Sequence, residues 1–230
     1  MSIAGLGYQN YDNVTFKKMA HTLQALDITD GTLELEFPTG GSGTFKPLQF
    51  HFHAPSEHTV DGKTYNLEMH VVHLYEDGSL GSALGIFFDI VDGGSTASQF
   101  LTELAPNLVT EEGTITGPVN FASFLGGVDM TNYYAYNGSL TTPPCTEGVK
   151  WSVASEVQPI SAQQLSYFTK NWAGNDAYAG GKGNNRATQP WNDRKVYTSN
   201  PVSFGSLETY ESAVILGASI LTVVIPSLLF

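Results

Sequence analysis

The sequence predicts one mainly β domain of the α+β kind, with a large, twisted, mostly antiparallel central sheet and short peripheral helices. Two observations carry this prediction. Charged residues make up only 14% of the chain while glycines number 24, a composition that favours strands joined by turns. Polar and apolar residues also alternate along much of the chain, as they do in half-buried strands. A length of 230 residues suffices for one domain with a substantial core.

The first predicted strands follow from this alternation. Residues 32–37 (TLELEF) alternate polar and apolar, and a glycine-rich turn follows at 40–43. Residues 45–53 (FKPLQFHFH) alternate again, so that successive side chains point to opposite faces. The polar face of this second strand carries Gln49, His51 and His53. Its other face carries Leu48, Phe50 and Phe52.

Three further strands are predicted downstream. Residues 67–75 (LEMHVVHLY) place Glu68, His70 and Val72 on one face. Residues 84–91 (LGIFFDIV) form a continuous apolar run, which is typical of a central strand. Residues 150–157 alternate and predict another strand.

The remaining segments predict short helices and loops. Residues 98–104 and 163–171 are expected to form two short helices, whereas residues 106–127 are expected to be turn-rich. Residues 175–192 are rich in glycine and asparagine and predict an ordered loop. Because the sequence shows no clear domain boundary before residue 205, we expect one domain over residues 1–204. A spacer and an apolar tail follow over residues 205–230.

The C-terminal tail differs from the rest of the chain. Residues 212–230 carry no charge, and about twenty apolar residues are needed to span a bilayer. The small residues Ser203, Gly205 and Ser206 before this tail match a glycolipid (GPI) anchor signal. The alternative interpretations are a membrane tail that is retained and a buried terminal strand. An anchor would imply secretion and an extracellular or membrane-attached protein. The start of the chain has no signal peptide, so we expect the N-terminus to be incomplete.

Charge and cysteine content exclude some classes of function. A formal net charge of −12 argues against a nucleic-acid partner, because phosphate binding requires clustered lysines and arginines. Cys145 is the single cysteine, so the chain has no internal disulfide.

Three histidines suggest a metal site. His51 and His53 are two residues apart on one face, and His70 faces the same point if its strand pairs antiparallel to theirs. Three neutral imidazoles with one open position suit a catalytic zinc ion. An H-x-H pair alone is equally typical of hydrogen-bonded histidines. However, Gln49 and Glu68, each two residues before a histidine, are placed to accept the second ring N–H, as partners of metal-bound imidazoles do.

Several segments resemble the α-class carbonic anhydrases. Residues 49–63 (QFHFHAPSEHTVDGK), 67–73 (LEMHVVH) and 138–151 (GSLTTPPCTEGVKW) resemble hallmark segments of that family and occur in its order. Residues 184–194 (NNRATQPWNDR) are similar to its C-terminal Gln-Pro signature. The resemblance covers approximately residues 8–202, without the N-terminal segment that members carry.

The resemblance implies a zinc enzyme that reversibly hydrates carbon dioxide to bicarbonate and a proton. In that family zinc lowers the pKa of its bound water to about 7, which makes hydroxide available as the nucleophile. By resemblance, His51, His53 and His70 hold the zinc ion. Thr141 would accept a hydrogen bond from the hydroxide and donate its own to Glu57.

The resemblance also implies the substrate site and the proton path. The backbone N–H of Thr141 would bind a product oxygen, and Thr142 would line the site. His21 matches the proton-shuttle position, since histidine has an unperturbed pKa near 6.5. The apolar wall for carbon dioxide would comprise Val72, Ala83, Leu140, Val149 and Trp151.

Two alternatives stay open. His51, His53 and Glu57 form an H-x-H-x-x-x-E pattern that resembles the first motif of the cupins, metal-binding barrels in which Glu57 would be a ligand. Their second, glycine-rich motif is not recognisable in this chain. The other alternative is a non-catalytic carbonic-anhydrase-like binding domain.

Overall fold

The structure, a computed structural model, describes residues 1–37, 41–105, 113–177, 179–199, 208–209 and 228–229. Its strands are, in chain order, β1 (Ser2–Tyr8), β2 (Tyr11–Lys18), β3 (Leu23–Leu26), β4 (Gly31–Glu36), β5 (Ser42–His53), β6 (Thr59–Val60), β7 (Lys63–Thr64), β8 (Leu67–Leu74), β9 (Leu80–Ile90), β10 (Gly113–Val119), β11 (Tyr133–Ser139), β12 (Glu147–Ile160), β13 (Val196–Thr198), β14 (Glu208–Thr209) and β15 (Leu228–Leu229). The mainly β fold predicted from the sequence is confirmed.

Within the described residues, twelve strands form one sheet. Its main path runs β10-β2-β3-β5-β8-β9-β12-β11-β13-β14, and β4 branches from β5 to pair with β1. All strand pairs described are antiparallel except β9 with β12, so the sheet is mostly antiparallel as predicted. The strands β5 and β8, which carry the three candidate histidines, therefore lie near the middle of the sheet.

Strand β5 departs from simple alternation at one point. Its pairing with β8 shifts register between Pro47 and Gln49, where a β-bulge interrupts the ladder. Consequently Leu48 is 37% exposed, which contradicts its predicted place on the apolar face beside Phe50 and Phe52. Those two aromatic side chains are buried as predicted.

Three α-helices lie within the described residues: α1 (Gln99–Leu104), α2 (Phe121–Leu125) and α3 (Ala162–Asn171). The predictions of α1 and α3 are confirmed. The expectation of turns throughout 106–127 is wrong for 113–125, because β10 pairs with β2 despite its glycines and proline, and α2 follows it. Residues 106–112 lie outside the described part.

The main hydrophobic core packs the helices against one face of the sheet. Phe52 of β5 and Phe168 of α3 lie with ring centroids 5.1 Å apart, and Phe50 stacks on Phe121 of α2 at 5.3 Å. Burying a large apolar side chain of this kind contributes about 1.5 to 3 kcal/mol. This packing holds β5 in place, so the histidines on its other face have a rigid support.

Most of the C-terminal tail lies outside the described residues. Leu228–Leu229 form the short strand β15, which pairs with β6. In the described part of the chain, no helix combines the length and apolar character needed to cross a bilayer.

Helix α3 begins with a capping box that provides a test of local stability. The Ser161 hydroxyl accepts from the Gln164 N–H at 3.2 Å, and the Gln164 side chain accepts from the Ser161 N–H at 3.2 Å. Replacing Ser161 with alanine is expected to lower the free energy of unfolding by about 1 kcal/mol. Urea unfolding measures this change. Gln163→Ala, on the exposed side of the same turn, should leave the midpoint nearly unchanged; equal effects from both would contradict the capping account.

Candidate metal centre

The register of β5 and β8 brings three histidines together. His51 lies directly opposite His70 in the antiparallel ladder, and His53 lies opposite Glu68. His51 and His53 project from the same face because they are two residues apart. One ligand nitrogen from each of the three rings falls within 4.8 Å of the others. The side chains predicted to share a metal ion therefore converge.

Each imidazole uses one ring nitrogen in a hydrogen bond. His51 Nδ1 lies 2.9 Å from Gln49 Oε1. His53 Nδ1 lies 3.2 Å from the backbone oxygen of Asn184. His70 Nε2 lies 2.9 Å from Glu68 Oε1. These oxygens can only accept, so each bonded nitrogen carries the proton and the other nitrogen presents a lone pair.

The remaining nitrogens fit a zinc ion. They are Nε2 of His51, Nε2 of His53 and Nδ1 of His70. His53 Nε2 is buried without a hydrogen-bond partner, and an orphaned buried lone pair of this kind indicates a missing ligand. Zinc accepts three imidazoles and leaves a fourth position for substrate or water in catalytic sites.

Burial and neighbouring charges shape the site's electrostatics. Burial, then the proximity of His53 and His70, holds the pKa of His51 well below its ordinary value. Burial likewise lowers the pKa of His53, against the opposing effect of Glu57. For His70 burial also lowers the pKa, but the Glu68 carboxylate outweighs it, so the net pKa is raised. The two imidazoles on β5 are therefore neutral near pH 7, the form that binds metal.

Glu68 anchors a buried network that the sequence analysis did not identify. Its Oε1 lies 2.5 Å from His58 Nδ1, and its Oε2 accepts from the backbone N–H groups of residues 57 and 58 at 2.9 Å. His58 Nε2 lies 2.9 Å from the Tyr136 hydroxyl. Burial would raise the pKa of Glu68, but His58 and His70 hold it well below its ordinary value. Glu68 is thus an ionised acceptor that orients His70.

Glu57 lies beside the three histidines. Its Oε1 accepts from the Arg186 backbone N–H at 2.6 Å and lies 3.3 Å from His53 Nδ1. Its Oε2 lies 3.8 Å from His70 Nδ1 and is buried without a hydrogen-bond partner. The structure does not form the hydrogen bond expected from Thr141 to Glu57. Both residues nevertheless line one small cavity of about 20 Å³.

An open cleft leads from the surface to Glu57 and Thr141. Its volume is about 590 Å³, and its lining includes His21, Glu57, Thr141, Thr142 and Asn184. His21 and Thr142 are exposed, whereas Thr141 is half-buried. Because Glu57 touches two of the histidines and also lines the cleft, the cleft connects solvent with the candidate metal centre.

The predicted apolar wall lies on the same face of the sheet. Val72 of β8 lies opposite Ala83 of β9, which in turn lies opposite Trp151 of β12. The Trp151 ring centroid is 4.7 Å from that of His70. Ala83 and Trp151 belong to one buried cluster with Val149, and Leu140 packs half-buried against it. Trp151 thus lies beside His70, and strand pairing or packing connects the other four residues to Trp151.

Gly183 permits its loop to pass close to Ala54, the residue that follows β5, and provides a second test of stability. Gly183 has φ +111°, and a Cβ there would lie 2.0 Å from the Ala54 oxygen. Gly183→Ala is expected to cost roughly 2 to 5 kcal/mol, from backbone strain and steric overlap together. Gly180→Ala is the control, because φ there is +62° with no atom within 4 Å of the added Cβ. Thermal unfolding of both variants measures the loss of stability, from strain plus overlap in Gly183→Ala and from strain alone in Gly180→Ala. Similar losses of stability in the two variants would contradict the close approach of Gly183 to Ala54.

Comparison with known proteins agrees with this geometry. The sequence model of the eukaryotic-type carbonic anhydrase family matches residues 2–200. Alpha carbonic anhydrase 3 of Arabidopsis thaliana is 35% identical over 69% of this chain and 55% of that protein. A carbonic anhydrase of Pectobacterium carotovorum is 36% identical over 76% of this chain and 65% of that protein. This chain thus spans between about half and two thirds of the length of these two relatives.

Solved structures agree as well. The α-carbonic anhydrase of Photobacterium profundum has a TM-score of 0.67 and 34% identity, over 84% of this chain and 80% of that one. A hyperthermostable carbonic anhydrase from a hydrothermal vent chimney has a TM-score of 0.69 and 30% identity, over 87% and 82%. The family match covers most of the chain and overturns the cupin alternative. This chain belongs to the eukaryotic-type carbonic anhydrase family.

Proposed function

We propose that this chain catalyses the reversible hydration of carbon dioxide to bicarbonate and a proton, with zinc held by His51, His53 and His70. The observation that carries the proposal is the convergence of three imidazoles, each with its second nitrogen already hydrogen-bonded. Family membership and carbonic anhydrase relatives support the same activity.

The bound zinc would supply acidity, lowering the pKa of water to about 7 as established for this family, so that a nucleophile exists near neutral pH. The protein supplies the surroundings. Ala83, Val149 and Trp151 are buried apolar residues beside the site, and they offer a small uncharged molecule a dry surface. Such a surface excludes water from the space that carbon dioxide occupies.

Thr141 and Glu57 orient the attacking water in this proposal. The Arg186 N–H occupies Glu57 Oε1, and Oε2 remains a buried acceptor in need of a donor. The Thr141 hydroxyl lines the same cavity and is the donor we assign to it. A hydroxyl that donates to a carboxylate must accept from the water, which aims the water's oxygen at carbon dioxide.

His21 exports the proton in this proposal. Its exposed side chain lies on the cleft that leads to Glu57, so it faces both the site and bulk solvent. Imidazole both takes up and releases protons close to neutral pH.

Metal analysis combined with hydration kinetics tests the proposed function. We expect purified protein to bind one zinc ion per chain and to hydrate carbon dioxide in stopped-flow measurements. Removal of zinc with a chelator should abolish hydration, and added zinc should restore it. A chain that binds zinc without hydrating carbon dioxide would instead support the non-catalytic binding domain.

Gln49 provides a graded test of the zinc site. Gln49→Ala removes the acceptor for His51 Nδ1 and is expected to weaken zinc binding about 10- to 100-fold. Competition with a chromophoric chelator measures the affinity. Gln49→Glu keeps an acceptor oxygen and should retain tight binding. If both variants bound zinc like the unmodified chain, Gln49 would have no part in orienting the ligand.

A further inference from the structure

Asn184 lies where strand pairing between β3 and β5 stops. The ladder between these strands ends at the pair Gln24 and His51. Beyond it, two side chains bond the end of β5: the Thr22 hydroxyl, which donates to the Phe52 oxygen at 2.8 Å, and the amide of Asn184. Its Oδ1 accepts from the Ala54 N–H at 2.8 Å, and its Nδ2 donates to the Phe52 oxygen at 3.0 Å.

The same amide reaches a second segment. Asn184 Nδ2 also donates to the backbone oxygen of His21 at 2.7 Å. A primary amide offers two N–H donors, and here they serve two different backbone oxygens while the amide oxygen serves a third group. This side chain therefore ties His21 to the end of β5 with well-formed hydrogen bonds.

This connection matters because His21 is exposed and His53 is buried at the candidate metal centre. The backbone oxygen of Asn184 also accepts from His53 Nδ1, so one residue contacts both the proton-exporting residue and a metal ligand. Proton transfer through water depends on the separation of its end points, and a displacement of about 1 Å at a reacting group costs up to roughly 100-fold in rate.

We propose that the side-chain amide of Asn184 is a positioning residue for proton export, holding the backbone of His21 at a set distance from the strand that carries His51 and His53. This inference rests on the proposed function, in which His21 passes the proton to solvent. It concerns the side chain alone, since the backbone contact to His53 persists in every Asn184 variant.

The anchoring is tested first without metal. Asn184→Asp keeps the shape and the acceptor for Ala54 but loses both donors. Asn185→Asp is the matched control, because it adds the same charge one residue later and removes none of these bonds. We expect the ¹³C carbonyl shifts of His21 and Phe52 to move in Asn184→Asp and not in Asn185→Asp. Equal shifts in both variants would overturn the proposal.

The role in proton export is tested with the zinc-loaded protein. Asn184→Asp is expected to lower turnover at saturating carbon dioxide in weak buffer by roughly 10-fold relative to Asn185→Asp. Added imidazole, a free proton acceptor, should restore it. Oxygen-isotope exchange between carbon dioxide and bicarbonate at equilibrium does not need proton export and should stay unchanged. An equal fall in exchange would overturn the proposal, because the amide would then support only the metal site.

Two further results complete the test. If Asn184→Asp fails to fold, Asn184→Ser replaces it. The single short hydroxyl of serine cannot bond both carbonyls, so the carbonyl shift of His21 is expected to move, and an unchanged His21 shift would overturn the proposal. If the unmodified zinc-loaded chain does not hydrate carbon dioxide, the proposed function fails and the role in proton export fails with it. The carbonyl shifts of the metal-free protein still report separately whether the amide anchors His21.

Discussion

His70→Ala is expected to remove most of the zinc affinity and nearly all carbon dioxide hydration. Loss of a hydrogen-bond partner of a ligand already costs about 10- to 100-fold in metal affinity, so loss of a ligand should cost more than about 100-fold. Two imidazoles would remain on β5, too few for the three-ligand arrangement of catalytic zinc. Zinc stoichiometry after dialysis and competition with a chelator measure the change.

His73→Ala is the matched control for this experiment. His73 lies three residues further along β8 and is fully buried, with its Nε2 2.6 Å from the Tyr8 hydroxyl. Its removal should destabilise the fold by about 1 to 3 kcal/mol, since it removes a buried imidazole and leaves the half-buried Tyr8 hydroxyl without this partner, but zinc should still bind. Comparable zinc loss in both variants would show that folding, not coordination, explains the result. Tight zinc binding by His70→Ala would refute the three-histidine centre.

Local sequence patterns predicted the convergence of the three histidines because its geometry is local. Two histidines share a face through the strand period, and the third lies on the next strand of an antiparallel ladder. Their acceptors Gln49 and Glu68 follow the same period and occupy the predicted positions.

The rest of the site comes from distant parts of the chain. Asn184 contacts His53 across 131 residues, Arg186 contacts Glu57 across 129, and Tyr136 contacts His58 across 78. Two of these contacts use backbone atoms, whose positions depend on the loop and not on residue type. Periodicity carries no information on such contacts, so only the resemblance of residues 184–194 to a family signature hinted that this loop belongs to the site.

Errors in the fold prediction have a similar origin. Residues 113–119 contain two glycines and a proline, which favour turns by propensity, yet pairing with β2 makes them an edge strand. Leu48 is exposed because a bulge adds one residue to β5, and a bulge depends on the pairing of two strands. Tertiary pairing overrode local preference at both places.

Thr141→Ala is expected to leave zinc bound but to lower kcat/KM roughly 100-fold, because the attacking water loses the group that orients it. Stopped-flow kinetics with zinc analysis of the same sample measures both quantities. Thr141→Ser keeps the hydroxyl and should recover most of the rate. Full activity in Thr141→Ala would remove the hydroxyl from the mechanism.

Glu57→Gln tests the direction of the same hydrogen bond. The Arg186 N–H at 2.6 Å requires an acceptor, so the glutamine oxygen must take the place of Oε1 and its NH₂ the place of Oε2. The Thr141 hydroxyl would then face a donor and could no longer donate to residue 57. We expect a loss of kcat/KM similar to that of Thr141→Ala, with zinc retained. Combined, the two substitutions should cost little more than either alone, because both interrupt one relay. Additive losses would mean that Thr141 and Glu57 act separately, and the buried Oε2 would then need another donor.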